Sequence, residues 1–263
     1  MFEILKNLLP IKVLFLLLIL ISPMGADERV KNCFTYSFVN LSVNYLDWGD
    51  ATQEKTAQRD FSYLELEGGF GWDGGEFYGF ADLKSPTVRE SGNFIDNLYI
   101  SLKPVLDIDI YDKVALHIQN YYLSSNDFFV SDWVGGVSYK VSTNNGFWIR
   151  PFLGWHYLNT TYYKGMNGYM FGWTLNYNFT LFQESFSVFQ WHEIDFDRDK
   201  RYYLGDDGSP IGDGTSSGVN GALSFWWHYN MKLQAGLQYR YANNKLGYQE
   251  YQSAIIYSIK YYF

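Results

Sequence analysis

Two stretches of this sequence set carboxylates, aromatic rings and hydrogen-bonding groups at alternating positions. Glu65 and Glu67 precede the break Trp72-Asp73-Gly74-Gly75, and Tyr78, Phe80 and Asp82 follow it. Later, Phe189-Gln190-Trp191-His192-Glu193-Ile194-Asp195-Phe196 repeats the mixture. Side chains two apart on a strand point to the same side, so each run offers a surface of rings and charges. Rings stack on flat solutes, as aromatic platforms do on nucleobases. Carboxylate and guanidinium groups bond to base edges and ribose hydroxyls. Phe80, Trp148, Phe152 and Trp226 are candidate stacking rings, with Glu65, Asp82 and Arg150 as hydrogen-bonding groups. The alternative is that the rings only fill space inside whatever encloses them.

The elements that must position these groups are strands. Past residue 34 apolar residues recur at every second position, and helical periodicity is not evident. Twelve strands are expected, at roughly 35–47, 60–72, 75–85, 93–104, 112–124, 130–142, 146–158, 167–179, 185–197, 216–227, 231–242 and 250–263. In the eighth, Tyr169, Phe171, Trp173, Leu175, Tyr177 and Phe179 form one face, while Met170, Gly172, Thr174, Asn176 and Asn178 form the other. Glu65, Glu67, Asp82, Lys103, Lys140, Arg150, Arg240 and Lys260 all fall opposite the apolar set, with Asp96 an exception. A charge facing lipid at mid-bilayer costs ~2–4 kcal/mol, so this segregation is what a membrane would select. The ninth strand resists the rule: Trp191, Glu193 and Asp195 share one face and Val188, His192, Ile194 and Phe196 the other. Glu193 is placed inside.

These strands form an all-β fold, an antiparallel transmembrane β-barrel in a bacterial outer membrane. Aromatics make up 21% of the chain, yet mean hydropathy is slightly negative. A barrel that hides its apolar residues at every second position has both properties. Asp73-Gly74, Asn144-Asn145-Gly146 and Tyr229-Asn230 are tight turns after the second, sixth and tenth strands, and longer connections such as 48–59 and 198–215 follow odd-numbered ones. That arrangement puts both termini on the periplasmic side. Ile255, Tyr257, Ile259, Tyr261 and Phe263 alternate to an aromatic C-terminus, the kind of signal read by the barrel assembly machinery.

Residues 1–26 read as a secretory signal peptide: Lys6 and Lys12, an apolar run from Val13 to Ile21, then Ser22-Pro23-Met24-Gly25-Ala26. The run is too short to span a bilayer as a helix. The remaining 237 residues, 27–263, carry 18 basic and 27 acidic groups, a balance that repels nucleic acid. Cys33 is the only cysteine, so an internal disulfide is excluded.

Twelve strands lie between small filled barrels and wide porins, which implies a narrow pore lined by side chains. By parity its inward residues include Glu65, Glu67, Tyr78, Phe80, Asp82, His117, Gln119, Tyr121, Trp148, Arg150, Phe152, His156, Asn176, Trp226 and Arg240. The runs from Trp72 to Leu83 and from Phe189 to Phe196 resemble the strand 2–3 hairpin and the late acidic-aromatic strand of the nucleoside-specific channel-forming outer-membrane family (Tsx-like). The resemblance implies a twelve-stranded channel passing nucleosides and deoxynucleosides without any cofactor. The expected partners are then small polar solutes and outer-membrane lipids, and the expected process is passive, selective diffusion. The rival is a closed structural or surface-interaction barrel acting through acidic loops as an adhesin or phage receptor.

Two other chemistries are disfavoured. Outer-membrane phospholipases use a His and a Ser two residues apart, but His117, His156, His192 and His228 are followed at that spacing by Gln119, Leu158, Ile194 and Asn230. An enzyme is therefore not expected. Asp195-Phe196-Asp197-Arg198-Asp199 mimics a calcium loop, yet Lys200 stands where the loop needs glycine and Asp206 where it needs glutamate. No metal is expected.

Overall fold

A computed structural model describes residues 34–84, 99–125 and 128–263. The strands are β1 (Tyr36–Trp48), β2 (Phe61–Trp72), β3 (Gly75–Lys84), β4 (Tyr99–Tyr111), β5 (Val114–Ser124), β6 (Phe129–Tyr139), β7 (Val141–Ser142), β8 (Phe147–Thr160), β9 (Lys164–Leu181), β10 (Glu184–Phe196), β11 (Gly218–His228), β12 (Leu233–Asn243) and β13 (Gln252–Tyr262). Two short helices, α1 (Asp50–Lys55) and α2 (Lys200–Tyr203), lie in connections. Apart from β6 and β7, consecutive strands pair antiparallel with each other, and β1 pairs with β13. Strands β6 and β7 both pair with β8 and are one stave interrupted at Lys140. The result is a closed ring of twelve staves. Closure leaves no unpaired sheet edge, which a strand in hydrocarbon cannot tolerate.

The alternation dictates the two faces. Along β1, Asn40, Ser42, Asn44, Leu46 and Trp48 are buried, whereas Leu41, Val43 and Tyr45 are exposed. The same pattern puts Trp155, Phe171, Tyr177, Leu223, Phe225, Leu237, Tyr257 and Ile259 outside. Only in a membrane does so aromatic an exterior avoid water. Where β6 meets β8 the backbones approach so closely that a Cβ at Gly136 would stand 2.0 Å from the Leu153 carbonyl oxygen. Glycine is required there.

The main departure from expectation is β4. It runs to Tyr111 rather than ending near residue 104, and turns at Asp112-Lys113 into β5. Pro104 and the acidic Asp107 and Asp109 look like a connection in sequence. Pro104 lacks an N–H, and paired register between β4 and β5 passes from Leu102 to Val105 across it. Asp107 points inward, where it is satisfied. Between β9 and β10 the turn is Phe182-Gln183, both at positive φ (53° and 68°), the backbone a two-residue hairpin demands but not the residues that favour it. At this end of the barrel every connection is tight. Among the described residues the opposite end carries 49–60 and 197–217, but also the short connection 161–163. Residues 1–33, including the signal peptide and Cys33, and Asp96 lie outside the described residues.

Candidate functional site

The strand register carries all twelve candidate residues to the inner face. Glu67 pairs with Phe80, Glu65 with Asp82, and Gly69 with Tyr78, each pair sharing one side. Trp148 lies opposite Asn176, and Arg150 opposite Thr174. Trp226 lies opposite Ser187, and Arg240 opposite Ala222. On β10, Glu193 and Asp195 are buried inside while His192 faces outward against Trp173, ring centroids 4.4 Å apart. The Tyr241 hydroxyl and His192 Nδ1, 2.7 Å apart, share a hydrogen bond that accommodates that outward imidazole.

Burial then varies from stave to stave around the inner face. On β5 to β9, Val134, Phe152 and Met170 pack together, and His156, His117, Gln119 and Arg150 are buried beside them. Phe152 lies flat on His117, ring centroids 4.4 Å apart and planes 18° apart, so its face is already covered. Asp107 is the hub of this half. It accepts from Ser138 Oγ at 2.5 Å, Arg150 Nη1 at 2.6 Å and His117 Nδ1 at 2.9 Å. Arg150 also reaches Glu76 at 2.5 Å, as does Lys140. His156 Nε2 lies 2.7 Å from Asp132, with its side chain only 2% exposed. A buried charge is tolerated only with such partners. His117, Arg150, Phe152 and His156 thus face inward but form a packed wall rather than an open lining.

The other half keeps partly exposed side chains among buried ones such as Asn40, Ser42, Ala222, Ser258 and Lys260. It holds Glu65, Glu67, Tyr78, Phe80 and Asp82 on β2 and β3, with Trp226 and Arg240 on β11 and β12. Trp148, near the turn end of β8, is also partly exposed, 6.5 Å between ring centroids from Phe189. Glu67 accepts from Lys260 Nζ at 2.6 Å, Tyr78 Oη at 2.8 Å and Asn40 Nδ2 at 2.9 Å. The Lys260 ammonium in turn lies 4.3 Å from the Trp226 ring centroid, a cation–π contact. Ser42 donates to Glu65 and Ser101 to Asp82. Towards the loop end the wall turns apolar, where Leu46, Trp48, Ala254 and Ile256 pack with Tyr63 and Leu246.

Over that end the connection 197–217 is fastened down. Arg198 bonds Asp195 at 2.9 Å and the Asn244 carbonyl at 2.9 Å, and lies 3.5 Å from Asp213. Asp213 also accepts from Tyr202 Oη at 2.6 Å and the Gly247 amide at 2.7 Å. Lys245 pairs with Asp195. Hydrogen bonds from Arg201 hold the Asp199 carboxyl down at about 2. The acidic run that mimics a calcium loop therefore spends Asp195 and Asp199 on this chain's own cations.

Lys103, Trp191, Phe189, Glu76, Asp107 and Lys260 were not among the candidates, although all face the interior. Parity alone finds Lys103 and Lys260. Asp107 escapes because its strand was expected to end before it.

The profile of the family described as nucleoside-specific channel-forming protein, Tsx, matches residues 43–263. Among solved structures the fold is similar to that of the NanC porin, with 9% identity, a TM-score of 0.50, and coverage of 84% of this chain and 98% of that one. The KdgM porin, solved in complex with disordered oligogalacturonate, aligns at 10% identity and a TM-score of 0.46 over 87% of this chain and 99% of that one. The match spans the barrel from the middle of β1 to the last residue, and the architecture agrees with it. This chain belongs to the Tsx family of nucleoside-specific channel-forming proteins and is a multi-pass outer-membrane channel for small solutes.

Proposed function

We propose that nucleosides cross this barrel by passive diffusion along its partly exposed half. The carrying observation is the alternation of rings and ionisable groups on that half. Phe80 sits between Glu67 and Lys103 across the strands, Asp82 between Glu65 and Ser101, and Trp226 beneath Lys260. A base stacks on a ring at a gain of ~1–3 kcal/mol, while adjacent carboxylates and ammonium groups exchange hydrogen bonds with its edge and ribose. Successive weak sites let a solute enter and leave without trapping it. Glu65, Glu67, Tyr78, Phe80, Asp82, Trp148, Trp226 and Arg240 are the solute-contacting set in this reading. His117, Arg150, Phe152 and His156 support the wall instead.

Purified protein in a planar bilayer is expected to give small conductance steps that millimolar adenosine or thymidine reduces. Replacing Phe80 by Ala should weaken the block roughly tenfold, by the loss of one stacked base. Conductance indifferent to both nucleosides would sink the nucleoside reading, and an unchanged Phe80→Ala affinity would remove the stacking role. In the same reading residues 1–26 direct export and are removed. Both termini then face the periplasm, and the exposed aromatic belt meets outer-membrane lipid.

A further inference from the structure

Lys103 stands on β4 and Glu193 on β10, five places apart around a ring of twelve staves. Their side chains nonetheless meet, Lys103 Nζ lying 2.5 Å from Glu193 Oε1. The same carboxylate oxygen accepts from Gln119 Nε2 at 3.0 Å, and Gln119 lies 3.4 Å from the Met170 sulfur. The ammonium also sits 5.1 Å from the centroid of the Trp191 ring. A circular ring of twelve strands spaced ~4.8 Å apart and tilted ~40° is ~24 Å across between backbones. A stretched Lys meeting a stretched Glu spans only ~14 Å between Cα atoms. The barrel is therefore an oval, narrowed along the line from β4 to β10.

The two sides of that line differ in width, four staves against six. Across β5 to β9 lie the packed side chains of Val134, Phe152, Met170 and His156. On the other side the inward side chains of Tyr78 and Phe80 on β3 and of Gln238 and Arg240 on β12 remain partly exposed, while those of β1 and β13 are mostly small or polar and buried. Glu193 and Lys103 are held where these regions meet, with side chains 10% and 16% exposed.

We propose that the Lys103–Glu193 pair is a fixed tie across the bore. It sets the narrowest point of the pathway and confines solute to the side bounded by β11 to β13 and β1 to β3. The pair also determines charge selectivity there, because each partner cancels the other beside the route. This inference rests on the channel activity alone and does not require the solute to be a nucleoside.

Single-channel recording in plain potassium chloride tests it. The charge-neutral double variant Lys103→Ala/Glu193→Ala should raise unitary conductance by at least about twofold, since a constriction dominates the resistance of a pore. Glu193→Gln frees the ammonium and should shift reversal potential in a salt gradient towards anion selectivity. Unchanged conductance in the first variant, or unchanged selectivity in the second, overturns the proposal. A labelling arm leaves the pair intact and so does not depend on those variants folding. In a Cys33→Ser background, Gln238→Cys should react with a membrane-impermeant thiol reagent while Val134→Cys stays protected. Equal labelling of the two positions also overturns it. Because no nucleoside is present in these measurements, their failure is separate from failure of nucleoside block.

Discussion

Arg150 offers the sharpest test of the packed inner wall. Its guanidinium bridges two carboxylates, Glu76 at 2.5 Å and Asp107 at 2.6 Å, with its own side chain 9% exposed. In Arg150→Met the shape of the stem is kept and the charge is lost. Glu76 retains Lys140, whose side chain is 37% exposed, so its loss is cushioned by solvent. Asp107 retains Ser138 and His117 but keeps its negative charge almost dry. Breaking a buried pair by removing one partner costs ~3–5 kcal/mol. The remaining partners put the cost at the lower end, ~3 kcal/mol, or about two orders of magnitude in the folding equilibrium. Urea unfolding of the barrel in lipid vesicles, followed by tryptophan fluorescence, measures it. The double variant Arg150→Met/Asp107→Asn removes the stranded charge and should recover part of the loss. A loss below ~1 kcal/mol in the single variant, or a double variant no better than the single, would refute the reasoning that an uncompensated buried charge dominates here.

Two further outcomes follow from the loop end and the terminus. Asp199 is held down at about 2 by Arg201, so its capping of α2 is complete above the ordinary aspartate range and drains away as pH falls towards about 2. Protection factors for the α2 amides, taken relative to their intrinsic exchange rates, should fall between pH 4 and 2 in the wild type and already be low at neutral pH in Asp199→Ala; equal protection in the two proteins at neutral pH would exclude that capping role. If the assembly machinery reads the aromatic C-terminus, deleting Phe263, whose ring packs edge-on against Tyr261 at 5.6 Å, should lower the fraction of heat-modifiable barrel recovered from outer membranes. An unchanged recovery would remove that residue from recognition.

The period-two pattern was sufficient to make the faces legible, because side-chain alternation is a property of each strand by itself. Leu153 and Trp155 point out and Arg150 and Phe152 point in for reasons contained within ten residues. Twelve staves and inward charges followed from that local rule, while the family resemblance rested on the particular residues of Trp72–Leu83 and Phe189–Phe196. The rule lapsed where a local feature imitated a different one. Pro104 and Asp107 read as a connection, yet β4 continues through both. Phe182-Gln183 makes a tight turn without the residues that announce one.

What an inward residue does once inside was decided only by the tertiary structure. Phe80 and Phe152 look equivalent in sequence, each alternating with charges on an inner face. Phe152 is covered by His117, 35 positions earlier in the chain, while Phe80 stays partly exposed. Lys103 and Glu193 are 90 residues apart and meet only because closure of the ring brings β4 and β10 face to face. Strand pattern determines the direction in which a side chain leaves the backbone. Contacts across the bore determine whether it ends in a packed wall, in a tie, or on the surface a solute passes.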